Sequence, residues 1–281
     1  MRAYLFPGQG AQTVQMAEEI LTAFPAAAAL YKEAQEITGL DLTNLTEEEL
    51  GQTRYSQPAI VVHSAASLLR EHEQNPVTEY SPALAGFSLG EYTALHAAGV
   101  ITFTDLMRLV DVRSRLMQET AESVPGAMYA VIGLADEAVE NCLSSYADVY
   151  PVNYNCNGQL VIAGLEASAA EAAAELQNIG ARRVMRLAVN GAFHTPLMSS
   201  AAARLREFAA TLSFASLDMP LYSNATGARV TAPIDWPSYL ETHMISPVRF
   251  TAEIRTMRED GYTDFTEVGP GKVLSGLVKK I

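Results

Sequence analysis

Hydrophobic positions along the chain follow two patterns. Short, nearly continuous apolar runs at 3–6, 82–87, 127–134, 149–155, 159–165, 183–189, 219–223 and 263–267 predict buried strands. Between them, apolar residues recur every three or four positions and predict helices over 14–37, 57–73, 89–98, 103–120, 135–145, 166–179, 196–212, 235–243 and 249–259. In the helix at 103–120, Leu106, Leu109, Val110, Val112 and Leu116 form one broad apolar face. Strands interleaved with helices imply an α/β fold with a mostly parallel sheet covered on both faces.

The pattern changes inside the chain. Pro125-Gly126 interrupts it, and the strands at 149–155 and 159–165 flank Asn157-Gly158, a strong hairpin signal. From Pro125-Gly126 to residue 189 the predicted order is β-α-β-β-α-β, the ferredoxin-like pattern. The expected organisation is a large domain made of 1–124 and 190–281, with a small ferredoxin-like domain, 125–189, inserted in it.

Charge and composition narrow the function classes. The formal net charge of −13 disfavours a general nucleic-acid binder, which needs a basic surface to displace counterions. No apolar run reaches the ~20 residues that span a membrane, and the N-terminus carries no signal-peptide pattern. The two cysteines, Cys142 and Cys156, fit no metal spacing and no disulfide framework, so a reducing cytoplasm is expected.

The chemistry is concentrated at Gly86-Phe87-Ser88-Leu89-Gly90, where a strand passes into a helix. G-x-S-x-G in that context reads as a nucleophile elbow. The turn is tight enough to exclude side chains at Gly86 and Gly90, and the serine projects at a helix N-terminus beside the amide of Leu89. The bland alternative is an ordinary strand–helix turn with a serine cap. A serine hydroxyl needs a base. Of the five histidines, His63 and His96 have apolar helical neighbours, His72 lies between two glutamates and His243 lies near a helix end. His194, in a loop where the two expected domains join, is the best candidate.

Seven segments then add up in order: FPGQGAQ (6–12), GFSLGEYTAL (86–95), LVDVRSRLMQE (109–119), VNYNCNGQLVIAG (152–164), GAFHTPLM (191–198), SPVRF (246–250) and EVGPGKVLSGL (267–277). Together they resemble the malonyl-CoA:acyl carrier protein transacylase family, which also occurs as the acyltransferase domain of polyketide synthases. The resemblance covers essentially the whole chain. It implies an α/β-hydrolase-like large domain with an inserted ferredoxin-like one. It implies malonyl transfer from malonyl-CoA, through a malonyl-serine on Ser88, to the phosphopantetheine thiol of an acyl carrier protein. His194 would be the base, the backbone amides of Gln9 and Leu89 the oxyanion hole, and Arg113 the clamp on the malonyl carboxylate. Arg115, two residues along the same helix, is read as a surface residue. The carbonyl that orients the histidine falls, by the resemblance, in SPVRF at Arg249. Family members often carry glutamine there and histidine at the position of Phe87. Phe87 and Phe193 are expected in the pocket wall, with Leu89 and Phe193 matching the malonyl-selective pattern.

The implied partners are malonyl-CoA and an acidic carrier protein, with Arg182, Arg183, Arg249 and Lys272 as the candidate basic contact patch. No bound cofactor, metal, nucleic acid or membrane is expected, and the chain is expected to be a monomer. Two other readings stand beside this one. An acyl hydrolase on the same scaffold would have no use for Arg113, and a non-catalytic docking subunit would have no use for Ser88, His194, Gln9 and Arg113 together.

Overall fold

A computed structural model describes residues 1–75, 82–189, 191–231 and 234–281. It has a parallel sheet and an antiparallel sheet. Strand β1 (Arg2–Phe6) is central in the first, paired in parallel with β2 (Ala83–Gly86) on one side. A third strand, Asp264–Glu267, pairs in parallel with β1 on the other side. Side chains alternate across β1. Ala3 and Leu5 enter a core with Phe250, Ile254, Met257, Leu274 and Leu277. Tyr4 and Phe6 enter the larger core, with the helices Thr53–Gln74, Leu89–Ala97 and Phe103–Ser123. A sheet buried on both faces explains why these strands read as continuous apolar runs rather than alternating ones.

The antiparallel sheet comes from one continuous stretch. Its strands are β3 (Gly126–Ile132), β4 (Val149–Cys156), β5 (Gln159–Leu165) and β6 (Arg183–Arg186), in the spatial order β4-β5-β3-β6. The β4–β5 hairpin turns at Asn157-Gly158, where Gly158 has φ +70°. One face packs on the helices Asp136–Leu143 and Glu166–Asn178 through Val131, Val139, Ile162 and Leu176. The other face, with Met128, Ala130, Val152 and Val161, joins the larger core and walls the cleft.

Four expectations need correction. The helix expected at 14–37 is broken into Met16–Ala23, a 3-10 turn at Pro25–Ala27, and Ala28–Thr38. Pro25 has no N–H for the ladder and forces Phe24 out of helical geometry, to φ −146° and ψ 81°. A short helix, Glu47–Leu50, was missed although Thr46 and Glu49 form a capping box that the sequence displays. The strand expected at 219–223 contributes isolated bridges in place of a strand: a parallel one from Leu221 to Leu84, flanked by hydrogen bonds of Leu84 N–H to Pro220 and Tyr222 N–H to Leu84, and an antiparallel one from Tyr222 to Arg229. Pro220 has no N–H, and past Tyr222 the chain turns away, Gly227 N–H donating to the Ser223 carbonyl at 2.7 Å. Strand β6 ends at Arg186 rather than 189, so Leu187, Ala188 and Val189 leave the sheet and line the cleft.

Candidate active site

The turn from β2 into the helix Leu89–Ala97 places Ser88 at φ 51° and ψ −105°. A non-glycine residue there carries strain of about 1–3 kcal/mol. The glycines are required by space. A Cβ on Gly86 would overlap the Glu91 amide, and one on Gly90 would overlap the Phe6 carbonyl of β1. The elbow is therefore pressed directly onto the central strand, and Leu89 opens a helix whose first amides have no intrahelical acceptor.

His194 also has positive φ, 62°, in a turn closed by Thr195, whose hydroxyl donates to the Ala192 carbonyl at 2.6 Å and accepts the Leu197 N–H. His194 Nε2 lies 2.7 Å from Ser88 Oγ, and Nδ1 lies 2.9 Å from the Ser246 carbonyl. A carbonyl can only accept. Nδ1 therefore carries the proton, and Nε2 presents its lone pair to the serine hydroxyl. Burial, then His243, whose ring lies edge-on at 6.1 Å, and then Arg113 push the imidazole down to about 3, so it is neutral at physiological pH.

The orienting carbonyl corrects the expectation for Arg249. As N-cap of the helix Phe250–Glu259, Arg249 gives its carbonyl to the Glu253 N–H at 3.0 Å. Its exposed side chain lies over the Tyr154 ring, 5.6 Å from the centroid. Ser246, in the same sequence segment but before the helix, supplies the free carbonyl.

Arg113 is 1% exposed, and its Nη2 donates to Ser88 Oγ at 3.2 Å. Its guanidinium lies 4.9 Å from the Tyr92 ring centroid. The neighbouring Arg54 and Arg115 both pair with Asp111 at 2.7 Å, and Arg115 is half exposed. Arg113 pairs with no carboxylate among the described residues, and its Nε has no hydrogen-bond partner. A buried permanent cation with no protein counter-ion suits an anionic group on the molecule that reacts there.

Gln9 and Leu89 both line a cavity of about 310 Å³ with Ser88, Arg113, Phe193 and His194. The Gln9 side chain is engaged by Thr53 at 3.2 Å and Gln57 at 3.5 Å. Phe87, edge-on to Phe250 with centroids 5.5 Å apart, walls both this cavity and an adjoining one of about 260 Å³. The second cavity runs between Asn153, Asn155 and the C-terminal helix Val273–Val278. Arg182, Arg183 and Lys272 are exposed.

Sequence reasoning missed the layer beneath the elbow: Ser246, Asn224, Glu91, Glu253, Tyr239 and His243. One signal was available, since Glu91 is an acid directly after the second elbow glycine on an otherwise apolar helix. His243, set aside as a helix-end residue, is 1% exposed.

A family model described as the acyl transferase domain matches residues 3–280. The malonyl CoA-acyl carrier protein transacylase of Haemophilus influenzae is 39% identical over 289 residues, covering 99% of this chain and 91% of its own. That of Bacillus subtilis is also 39% identical, covering 99% and 90%. Among solved structures, the malonyl-CoA:acyl carrier protein transacylase of Xanthomonas oryzae pv. oryzae superposes with a TM-score of 0.93 at 38% identity, covering 99% of this chain and 90% of its own. A malonyl-transacylase in complex with a type II polyketide synthase acyl carrier protein gives 0.93 at 36% identity, covering 100% and 92%. The mixed α/β fold with one parallel and one antiparallel sheet matches these structures.

Proposed function

We infer the reaction from one premise: the chain belongs to the acyl transferase domain family, and its site is built to move a malonyl group from malonyl-CoA to the phosphopantetheine thiol of an acyl carrier protein. The observation that carries malonyl over a neutral acyl group is Arg113, buried without a carboxylate partner among the described residues and hydrogen-bonded to the serine. An esterase or acyl hydrolase gains nothing from such a residue.

In this reading Ser88 Oγ attacks the thioester carbon while its proton passes to His194 Nε2. The tetrahedral oxyanion sits against the amides of Leu89 and Gln9. The C–S bond breaks, and the imidazolium gives its proton to the departing CoA thiolate, leaving malonyl-Ser88. The pantetheine thiol of the carrier then enters, loses its proton to His194 and attacks the ester, and Ser88 leaves with that proton. Two similar intermediates thus use one set of groups. The Ser246 carbonyl holds the imidazole in place throughout and stabilises its charged form. Arg113 grips the malonyl carboxylate with two parallel N–H donors. Phe87, Leu89 and Phe193 wall the acyl site. An added methyl costs only ~1–3 kcal/mol of discrimination in such a pocket, so methylmalonyl is rejected incompletely.

The finer architecture belongs to the same reading. Residues 125–189 form the ferredoxin-like insertion in an α/β-hydrolase-like domain made of 1–124 and 190–281. The elbow of the parallel sheet and the helix-free face of the antiparallel sheet meet at the cleft, and the reading needs no bound cofactor. The enzyme acts as a cytoplasmic monomer in fatty-acid synthesis, or in trans to a polyketide synthase. Among the described residues no helix is long and apolar enough to cross a membrane.

The deciding experiment is product analysis with malonyl-CoA and a phosphopantetheinylated carrier protein. Malonyl-carrier protein and free CoA in equal amounts are expected, and free malonate as the main product would favour the hydrolase. Two further results follow. Because His194 is already neutral well below physiological pH, kcat/KM for malonyl-CoA is expected to stay flat from about pH 8 to about pH 5. A bend near 6.5, the ordinary histidine value, would contradict that environment. The same depression has a stability consequence. Between 6.5 and about 3 the unfolded chain binds a proton that folded His194 refuses, so stability falls as pH falls through that window. Reversing the charge of Arg182, Arg183, Arg249 and Lys272 together is expected to raise KM for the carrier about tenfold while leaving acylation by malonyl-CoA unchanged. Unaltered transfer kinetics would remove the docking patch.

A further inference from the structure

The elbow strand and the elbow helix leave two backbone groups without a ladder partner, the Gly86 carbonyl and the Ser88 N–H. One side chain meets both. Asn224 Oδ1 accepts the Ser88 N–H at 2.5 Å, and Asn224 Nδ2 donates to the Gly86 carbonyl at 2.5 Å. The amide orientation is fixed by chemistry, since the first group can only donate and the second only accept. Asn224 thus stands where the next strand of the sheet would stand, just past the short segment 220–222, which meets β2 only at Leu84.

Asn224 is itself clamped on every side and is 1% exposed. Its N–H donates to Glu91 Oε2 at 2.8 Å, its carbonyl accepts the Arg249 N–H at 2.9 Å, and its Nδ2 also donates to Glu253 Oε2 at 2.8 Å. Glu91 and Glu253 are 1% and 0% exposed. Tyr239 donates its hydroxyl to Glu91, and His243 Nε2 lies 3.4 Å from the same carboxylate. Glu91, Glu253, Tyr239 and His243 are the titratable groups that surround Asn224, and they come from three different helices.

We propose that Asn224 is the positioning residue of the nucleophile: it holds Ser88 at its positive φ from the backbone side, and the buried side chains of Glu91 and Glu253 hold Asn224. The inference rests on Ser88 being the nucleophile. Without the Oδ1 acceptor, the Ser88 N–H is buried unpaired and the turn relaxes. Oγ then moves off His194 Nε2, and the Leu89 amide swings with it. Two acidic side chains around one amide repel each other less because burial, and then Glu91, hold the Glu253 carboxyl well above the usual range, which favours its neutral form.

The test reads Ser88 reactivity apart from malonyl chemistry, as the rate of labelling by a fluorophosphonate probe per folded enzyme, beside steady-state transfer. Peptide mass spectrometry locates the label. Wild type unlabelled at Ser88 would remove the catalytic reading itself, and with it this inference. With wild type labelled, Asn224→Ala is expected to slow labelling and kcat about 100-fold, with KM for malonyl-CoA changed less than about threefold. Asn224→Asp keeps the acceptor for Ser88 but places a carboxylate against the Gly86 carbonyl and Glu253. Its labelling rate is expected to recover as pH falls from about 8 to about 6, where the introduced carboxyl takes up a proton and donates again. Wild type shows no such rise. If Asn224→Ala does not fold, Tyr239→Phe, which frees Glu91 from one hydroxyl, is expected to slow labelling at unchanged KM. Labelling by the folded Asn224→Ala within about threefold of wild type, an Asn224→Asp profile that parallels wild type, or an unslowed Tyr239→Phe in that fallback case would overturn the proposal.

Discussion

Ser88→Ala is expected to lower malonyl transfer by at least about 10⁴-fold and to leave no acyl adduct on the protein. The loss is this large because no other described hydroxyl is hydrogen-bonded to His194. Among the described residues only the Ser88 Oγ is hydrogen-bonded to both His194 Nε2, at 2.7 Å, and Arg113 Nη2, at 3.2 Å. Removing His194 as well should add little, because a base with no nucleophile to activate does no work. The variant still folds, since alanine keeps the Cβ and the backbone that Gly86 and Gly90 shape. Residual transfer close to wild type in Ser88→Ala would place the nucleophile elsewhere.

The second large effect is on selectivity. Arg113→Ala is expected to lower kcat/KM for malonyl-CoA by about 2–5 kcal/mol of transition-state stabilisation, the cost of removing one partner from a desolvated charge pair. Acetyl-CoA, with no carboxylate to lose, should be much less affected, so the malonyl-to-acetyl preference falls by nearly the full factor. Arg113→Lys should land between, because an ammonium is a point charge and cannot reproduce the fork that meets both carboxylate oxygens. Arg115 offers the internal control. It is already paired with Asp111 at 2.7 Å and half exposed, so Arg115→Ala should leave the preference intact. Competition assays with paired CoA thioesters read all three. An equal loss for malonyl and acetyl in Arg113→Ala would mean that the guanidinium serves the serine rather than the substrate.

Local physics made part of this legible in the sequence. The elbow could be read because a tight turn restricts residue type: the places of Gly86 and Gly90 are visible in the letters, and the structure gives each a backbone group in the way. The β4–β5 hairpin was legible for the same reason, through Asn157-Gly158. Arg113 lay on a helix whose apolar face was already clear. Contacts that depend on distant chain segments were not legible. The carbonyl facing His194 belongs to Ser246, 52 residues away, and any residue type carries a carbonyl, so no letter marks it. Asn224 meets Ser88 across 136 residues, in a segment that reads as the end of a strand. The break at Pro25 was there to be read, and the apolar periodicity on either side of it hid the proline.

Everything proposed for Ser88 turns on a malonyl-serine that passes its acyl group to a carrier thiol. Intact-protein mass spectrometry tests it in two steps: enzyme with malonyl-CoA, then removal of CoA and addition of phosphopantetheinylated carrier protein. One malonyl adduct is expected on the enzyme, absent in Ser88→Ala, that disappears as the carrier gains the same mass. An enzyme that never holds the adduct, or one that loses it to water while the carrier stays unchanged, would contradict it.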